Sequence, residues 1–128
     1  MRPPRGRAAR QQAEDAGRQA ETQAVWLLRF KGYRIVARRQ QTPVGELDIV
    51  ARRGAMLAFV EVKRRPTLTQ AAEAIDQRQR QRIARAAEAY LAAHPGLAGL
   101  DARFDAILVA PGRLPVHIAN AWHIMVEI

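Results

Sequence analysis

Two apolar runs, Glu-Leu-Asp-Ile-Val-Ala over 46–51 and Met-Leu-Ala-Phe-Val-Glu-Val over 56–62, stand four residues apart around a glycine. Runs of this length, rich in β-branched and large apolar side chains and joined by a short glycine-bearing link, predict a β-hairpin. A hairpin in mid-chain commits its neighbours to a sheet, so it constrains the fold more than any other feature. Yet these runs carry Glu46, Asp48 and Glu61, and Lys63 follows directly. Strand side chains alternate between faces, so Glu46 and Asp48 share one face of the first strand, and Glu61 and Lys63 one face of the second. Any even-numbered loop gathers all four on one side of the sheet. A two-residue loop at Arg53-Gly54 sets Glu46 across from Glu61 and Asp48 across from Phe59. A four-residue loop sets Asp48 across from Glu61. Facing pairs lie ~5 Å apart and diagonal ones ~7–8 Å; only an odd loop without a bulge separates the acids.

The rest of the chain supplies a sheet and its cover. Ala13, Ala16, Ala20, Ala24, Leu27 and Leu28 recur at steps of three and four and predict a helix over 11–31, stopped by Gly32. Glu21 lies beside Leu28 at the margin of that stripe. Residues 33–39 read as a first strand and 40–45 as its connection to the hairpin. Pro66 ends the third strand, a long helix follows over 70–93, and His94-Pro95-Gly96 terminates it. An apolar strand over 103–110, a Pro111-Gly112 turn and an edge strand over 114–121 complete the order α-β-β-β-α-β-β; residues 122–128 carry no clear pattern. This is an α/β domain with one mixed sheet of about five strands, flanked by helices. It occupies 11–128, behind a flexible basic arm over 1–10.

Composition narrows the partners. The formal charge is +9, and Lys31 and Lys63 are the only lysines. Arg2, Arg5, Arg7 and Arg10 lie in the arm, and the body stays basic without them. That favours a polyanion such as nucleic acid, set against the plainer view that arginine is merely this chain's default surface residue. There is no cysteine, which excludes disulfides and thiolate metal sites. No apolar run is long enough to span a bilayer, and no apolar segment follows the basic N-terminus as in a secretory signal. A cytoplasmic protein is expected.

Several carboxylates held together repel one another unless a cation neutralises them. Mg²⁺ or Mn²⁺ suits such a cluster, with one or two carboxylates, several waters and substrate phosphate oxygens as ligands. Lys63 beside them would orient or deprotonate a water, an arrangement suited to phosphodiester hydrolysis, and Glu21 reaches the same place if its helix packs on this face. The competing view is a solvated strand face with Glu46–Lys63 or Asp48–Lys63 pairs. Arg38, Arg39, Arg52, Arg53, Arg64 and Arg65 flank the acids at strand ends, and Arg78, Arg82 and Arg85 form one stripe of the second long helix. Both sets are candidate phosphate contacts, with Arg39, Arg64, Arg78 and Arg82 chosen as the nucleic-acid-binding residues. His94, His117 and His123 lack metal-ligand spacing, and Asp105, on an apolar strand, is expected to hold a neighbouring arginine.

The segments "GRQAETQAVWLLRFKGYRIVARR", "GELDIVARRGAMLAFVEVKRR", "RQRIARAAEAYL" and "RFDAILV…HIANAW" resemble, in the same order, the YraN-like family of small bacterial proteins. The resemblance covers about residues 14–124. That family is assigned to the PD-(D/E)xK nuclease fold, close to archaeal Holliday-junction resolvases, so a restriction-endonuclease-like domain is implied. By the resemblance Asp48, Glu61 and Lys63 correspond to the D…(D/E)-x-K catalytic set, Asp48 and Glu61 being metal ligands. Glu21 corresponds to a helix acid of the resolvase-like branch, and Glu46 sits in the G-E-(I/L)-D motif. This chain has Gln79-Arg80 where many members have Lys-Gln. The implied activity is Mg²⁺- or Mn²⁺-dependent endonuclease cleavage, with DNA favoured over RNA and branched DNA among the expected substrates. The alternative is a non-catalytic nucleic-acid-binding module that keeps the nuclease fold. Resolvase-like folds work as symmetric pairs, which implies a homodimer, although no self-complementary patch is visible in the sequence.

Overall fold

The structure, a computed structural model, describes residues 5–122, apart from the side chain of Arg5. The elements are α1 (Arg5–Phe30), β1 (Arg34–Thr42), β2 (Gly45–Arg53), β3 (Met56–Arg64), α2 (Leu68–Glu73), α3 (Gln77–Ala93), β4 (Asp101–Val109) and β5 (Val116–Trp122), with a single 3₁₀ turn at Pro95–Leu97. One sheet runs in the order β1-β2-β3-β4-β5. Its pairs are antiparallel except β3–β4, which is parallel and is bridged by α2 and α3. The expected α/β class and mixed five-stranded sheet are observed.

Each face of the sheet has its own core. On one, Ala24, Val25 and Leu28 of α1 pack on Ile49, Val60 and Ile107. On the other, Ile83, Ala87 and Tyr90 of α3 pack on Leu47, Val50 and Phe59. These helical sets keep the three- and four-residue steps of an amphipathic helix, and the central strands, covered on both sides, are correspondingly apolar.

Four sequence expectations change. The arm's residues 5–10 are the first turns of α1; residues 1–4 lie outside the described part. Strand β1 runs on to Thr42, so its link to β2 is only Pro43-Val44, with the Thr42 hydroxyl donating to the Gly45 carbonyl at 2.6 Å. The expected helix over 70–93 is two helices, because Asp76 takes an extended conformation and caps α3, accepting the Gln79 N–H. Trp122 ends β5, and 123–128, including His123, lie outside the described residues.

The hairpin turn is Gly54-Ala55, closed by the pair Arg53↔Met56 and entered through Gly54 at φ 59°, a conformation that glycine takes without strain. The loop has two residues but lies one position later than the two-residue option considered from sequence. The resulting register is the one that sets Asp48 opposite Glu61.

Candidate active site at the split between two strands

Strand β2 pairs with β3 only from Arg53↔Met56 to Ile49↔Val60, but with β1 it pairs on to Gly45. The two central strands therefore part at Asp48 and Glu61. Here β2 also loses its alternation, since Leu47 belongs to the α3-side core and Ile49 to the α1-side core. Two consecutive residues, Asp48 and Ile49, thus serve the α1 side. The Val62 N–H, left without a strand partner by the split, donates instead to Asp48 Oδ2 at 2.9 Å.

Asp48 and Glu61 meet across this gap. Glu61 is buried, and its Oε1 accepts from Gln79 Nε2 of α3 at 3.2 Å and lies 3.3 Å from Lys63 Nζ. Both contacts use the same oxygen, so Oε2 is taken by neither. Burial first, then the charge of Glu61, pushes the Asp48 carboxyl up to about 7, against the opposing pull of the Val62 N–H and Lys63; a hydrogen bond between the two carboxyls adds to the rise. The two carboxyls thus oppose one another, with the Val62 N–H and the Lys63 ammonium as the groups that offset their charge.

On the α1 side Asp48 also lines a cleft of about 470 Å³, together with Glu14, Arg18, Glu21, Arg39 and Glu46. Four carboxyls face two arginines there, in a chain whose formal charge is +9. Glu21, buried on α1, accepts Arg38 Nε at 3.1 Å and Arg39 Nε at 2.7 Å. Two adjacent residues of a regular strand would point apart. Arg39, at φ 47°, turns so that both reach one carboxylate, a left-handed conformation that costs a non-glycine residue about 1–3 kcal/mol and that the surrounding contacts must hold. The Glu21 hydrogen bond and charge raise the Arg39 pKa, and Glu46 and Asp48 add to this. Glu46 is exposed and accepts Gln41 Nε2 at 2.6 Å.

The sequence-based picture of four charged residues on one face is therefore corrected. Glu61 and Lys63 join Asp48 from the α3 side, whereas Glu21 and Glu46 join it through the cleft on the α1 side; Asp48 belongs to both groups. Arg64, Arg78 and Arg82 are exposed, but Arg82 donates to Gln79 Oε1 at 3.1 Å and so backs up the Gln79–Glu61 contact. Gln79, a departure from the resembling family in the sequence, here holds a site carboxylate. The signal for it was present: Gln79 stands one turn before buried Ile83 on the sheet-facing stripe of α3.

A second buried acid serves structure. Asp105 accepts Arg103 Nε and Nη2 at 2.7 and 2.9 Å, the Asn120 N–H at 2.9 Å, and pairs with His117 Nε2 at 2.8 Å. Burial alone would raise its pKa, but the bonds from His117, Arg103 and the Asn120 N–H outweigh that and hold it at about 2. Asp105 thus holds its neighbouring arginine, as expected, and a histidine besides.

Among the described residues no three His, Cys, Asp or Glu side chains are grouped to hold a metal alone. The donor set at the split is two facing carboxyls beside a cleft with space for water and substrate. That fits a hard divalent cation that keeps most of its waters and takes phosphate oxygens, and does not fit an all-protein cage.

Fold and site together define an α/β domain with an acidic, strand-split cleft on a basic body. Over residues 20–109 the chain matches the family described as "Uncharacterised protein family UPF0102". It is 56% identical over 106 residues to a UPF0102 protein of Parvibaculum lavamentivorans, covering 83% of this chain and 80% of the relative. It is 51% identical over 125 residues to one of Methylorubrum extorquens, covering 97% and 98%, and 56% identical over 110 residues to one of Rhodopseudomonas palustris strain HaA2, covering 86% of each. The chain belongs to the UPF0102 family. None of the helices in the described residues is long and apolar enough to cross a membrane.

Proposed function

We propose that this protein hydrolyses phosphodiester bonds of nucleic acid, DNA in the first instance, with Mg²⁺ or Mn²⁺ bound by Asp48 and Glu61. The observation that carries the reading is the meeting of half-buried Asp48 and buried Glu61 at a break in the sheet, with a lysine 3.3 Å from Glu61. Such a divalent cation, when bound, polarises the phosphate and acidifies water. Asp48 offers Oδ1 and Glu61 offers Oε2, the oxygens not used by the Val62, Gln79 and Lys63 contacts. Lys63 orients the attacking water and neutralises charge that develops beside Glu61. Water's oxygen bonds to phosphorus, one ester P–O bond breaks, and the water's proton ends on the departing oxygen. Glu21 stays outside this pair, holding Arg38 and Arg39 at the cleft wall, where Arg39 meets a flanking phosphate. The resemblance to the PD-(D/E)xK set at Asp48, Glu61 and Lys63 supports the same assignment.

Purified protein incubated with branched, single-stranded and duplex DNA plus Mn²⁺ tests it. Cleavage is expected, with a fall of at least about a hundredfold in Glu61→Gln and Lys63→Ala. Undiminished cleavage in those variants refutes the assignment. Binding without cleavage in Mg²⁺ or Mn²⁺ establishes a binding module instead.

A further inference from the structure

Helix α1 changes chemistry along a single stripe. At 100° per residue, Leu28, Val25, Arg18, Glu14, Arg10 and Arg7 all fall within about 60° of Glu21. Val25 and Leu28 are buried on the sheet, Glu21 stands at the site, and Glu14 and Arg18 line the cleft. Of residues 6–19 all are exposed except Ala16, which is half-buried. The helix thus runs past the cleft and projects beyond Glu14 for eight exposed residues, 6–13, about 12 Å at 1.5 Å per residue. Beyond Glu14 the cleft-side stripe is basic, with Arg10 and Arg7, while the opposite side carries Arg5, Ala8, Ala9, Gln12 and Asp15, which bring no net charge. An overhang with apolar residues on that stripe would have to be covered; one with cations there needs an anion.

We propose that a single nucleic-acid strand runs along this overhang into the cleft, its phosphates on Arg7, Arg10 and Arg18 and one phosphate delivered to Asp48 and Glu61. Three observations select a single strand over a duplex. A cleft of about 470 Å³ is of small-ligand size, enough for a nucleotide and its waters and too small for a double helix. Arg7, Arg10 and Arg18 lie on the side turned to the cleft, so a polyanion using them passes between helix and sheet end. A duplex that received α1 in its major groove would meet side chains all round the helix, and the outer side offers it alanine, glutamine and Asp15 against the one cation Arg5. Glu14, the one acid on this stripe besides Glu21, sits where the strand must already be near the cation site. The proposal deepens the hydrolytic reading and rests on it for the phosphate at Asp48 and Glu61, but strand binding is measurable without chemistry.

The test is fluorescence anisotropy in chelator, with single-stranded DNA of about 20 nucleotides, long enough to span such a track, and the corresponding duplex. Wild type is compared with Arg7→Gln/Arg10→Gln and with a charge-rotated variant that adds Ala9→Arg and Gln12→Arg to those two changes. All positions are exposed and helix-compatible, and the rotated variant keeps the net charge. Tighter binding of the single strand by wild type is expected. In the double variant it should fall about tenfold, with a salt slope smaller by about 1.4, since each lost single-strand phosphate contact removes about 0.7. The rotated variant should not recover. Equal or tighter binding of the duplex overturns the proposal, as does full recovery on rotation. If duplex preference appears while Mn²⁺-dependent cleavage persists, the strand track fails and the hydrolytic site stands; Arg7- and Arg10-dependent single-strand binding without cleavage in Mg²⁺ or Mn²⁺ gives the reverse.

Discussion

Replacing Asp48 with asparagine should make the protein more stable in alkaline solution. The Asp48 carboxyl titrates at about 7 in the fold, against about 3.9 in an unfolded chain. Between those values the folded state keeps a proton that the unfolded state has released, so raising the pH favours unfolding. The contribution is complete below pH ~4 and is lost as pH rises through ~7. At 1.36 kcal/mol per unit, a shift of roughly three units sets a ceiling of about 4 kcal/mol. The Glu61 proximity that produces part of the shift makes about 2–4 kcal/mol the working range. Asparagine keeps an oxygen for the Val62 N–H, 2.9 Å from Oδ2 in the wild type, and offers Glu61 a donor in place of a like charge. Urea unfolding of wild type and Asp48→Asn from pH 4 to 8 reads the effect. The two should nearly coincide at pH 4, and the variant should lead by about 2–4 kcal/mol at pH 8. A variant that is less stable than wild type at pH 8, or that shows the same decline with pH, would refute the account of the buried acid pair.

Other outcomes follow from the same geometry. Mn²⁺ binding followed by calorimetry in two buffers of different ionisation enthalpy should release nearly one proton at pH 6 and far less at pH 8, because the cation displaces the proton of Asp48, whose carboxyl is pushed up to about 7; no pH dependence of release would contradict this. Gln79→Ala should cost less than about 1.5 kcal/mol of stability, one hydrogen bond's worth, yet lower cleavage several-fold, and Gln79→Lys, which restores a donor to Glu61, should recover most of it. Asp105→Ala should destabilise by about 3–5 kcal/mol in urea, since it leaves the Arg103 guanidinium without its counter-charge and His117 Nε2 without its buried partner. Because Asp105 is held at about 2, it contributes about 2–3 kcal/mol that is complete above pH ~4 and disappears as pH falls towards 2; an acid-unfolding midpoint unchanged in Asp105→Asn would count against it.

Much of this molecule can be read from its residues. The order of elements and both helix faces follow from apolar steps of three and four, and the hairpin from two apolar runs about a glycine. The association of Asp48 with Glu61 follows from pairing parity, with the exact register open between two loops. What lies beyond the sequence is the local departure from regularity. The slip at Asp48 depends on where β2 leaves β3, and the turn of Arg39 to φ 47° depends on a carboxylate from a helix 18 residues earlier. The break before α3 could have been found, because Asp76 stands three residues before an N–H it can cap, but the continuous alanine pattern on either side conceals it. Gln79 looked like a missing cation; only the packing of α3 on the sheet reveals what its amide holds.

The loose amide of Val62 gives Asp48 an employment that needs neither ion nor substrate. A version of this domain with no hydrolytic chemistry would still be under pressure to keep an oxygen at that position, simply to close the seam. Lys63 closes no backbone group; its ammonium serves only the carboxyls of the site, pairing with Glu61 and pulling on Asp48. Where relatives are sorted into cutters and non-cutters, the informative position is therefore the lysine, and survival of the aspartate alone says little.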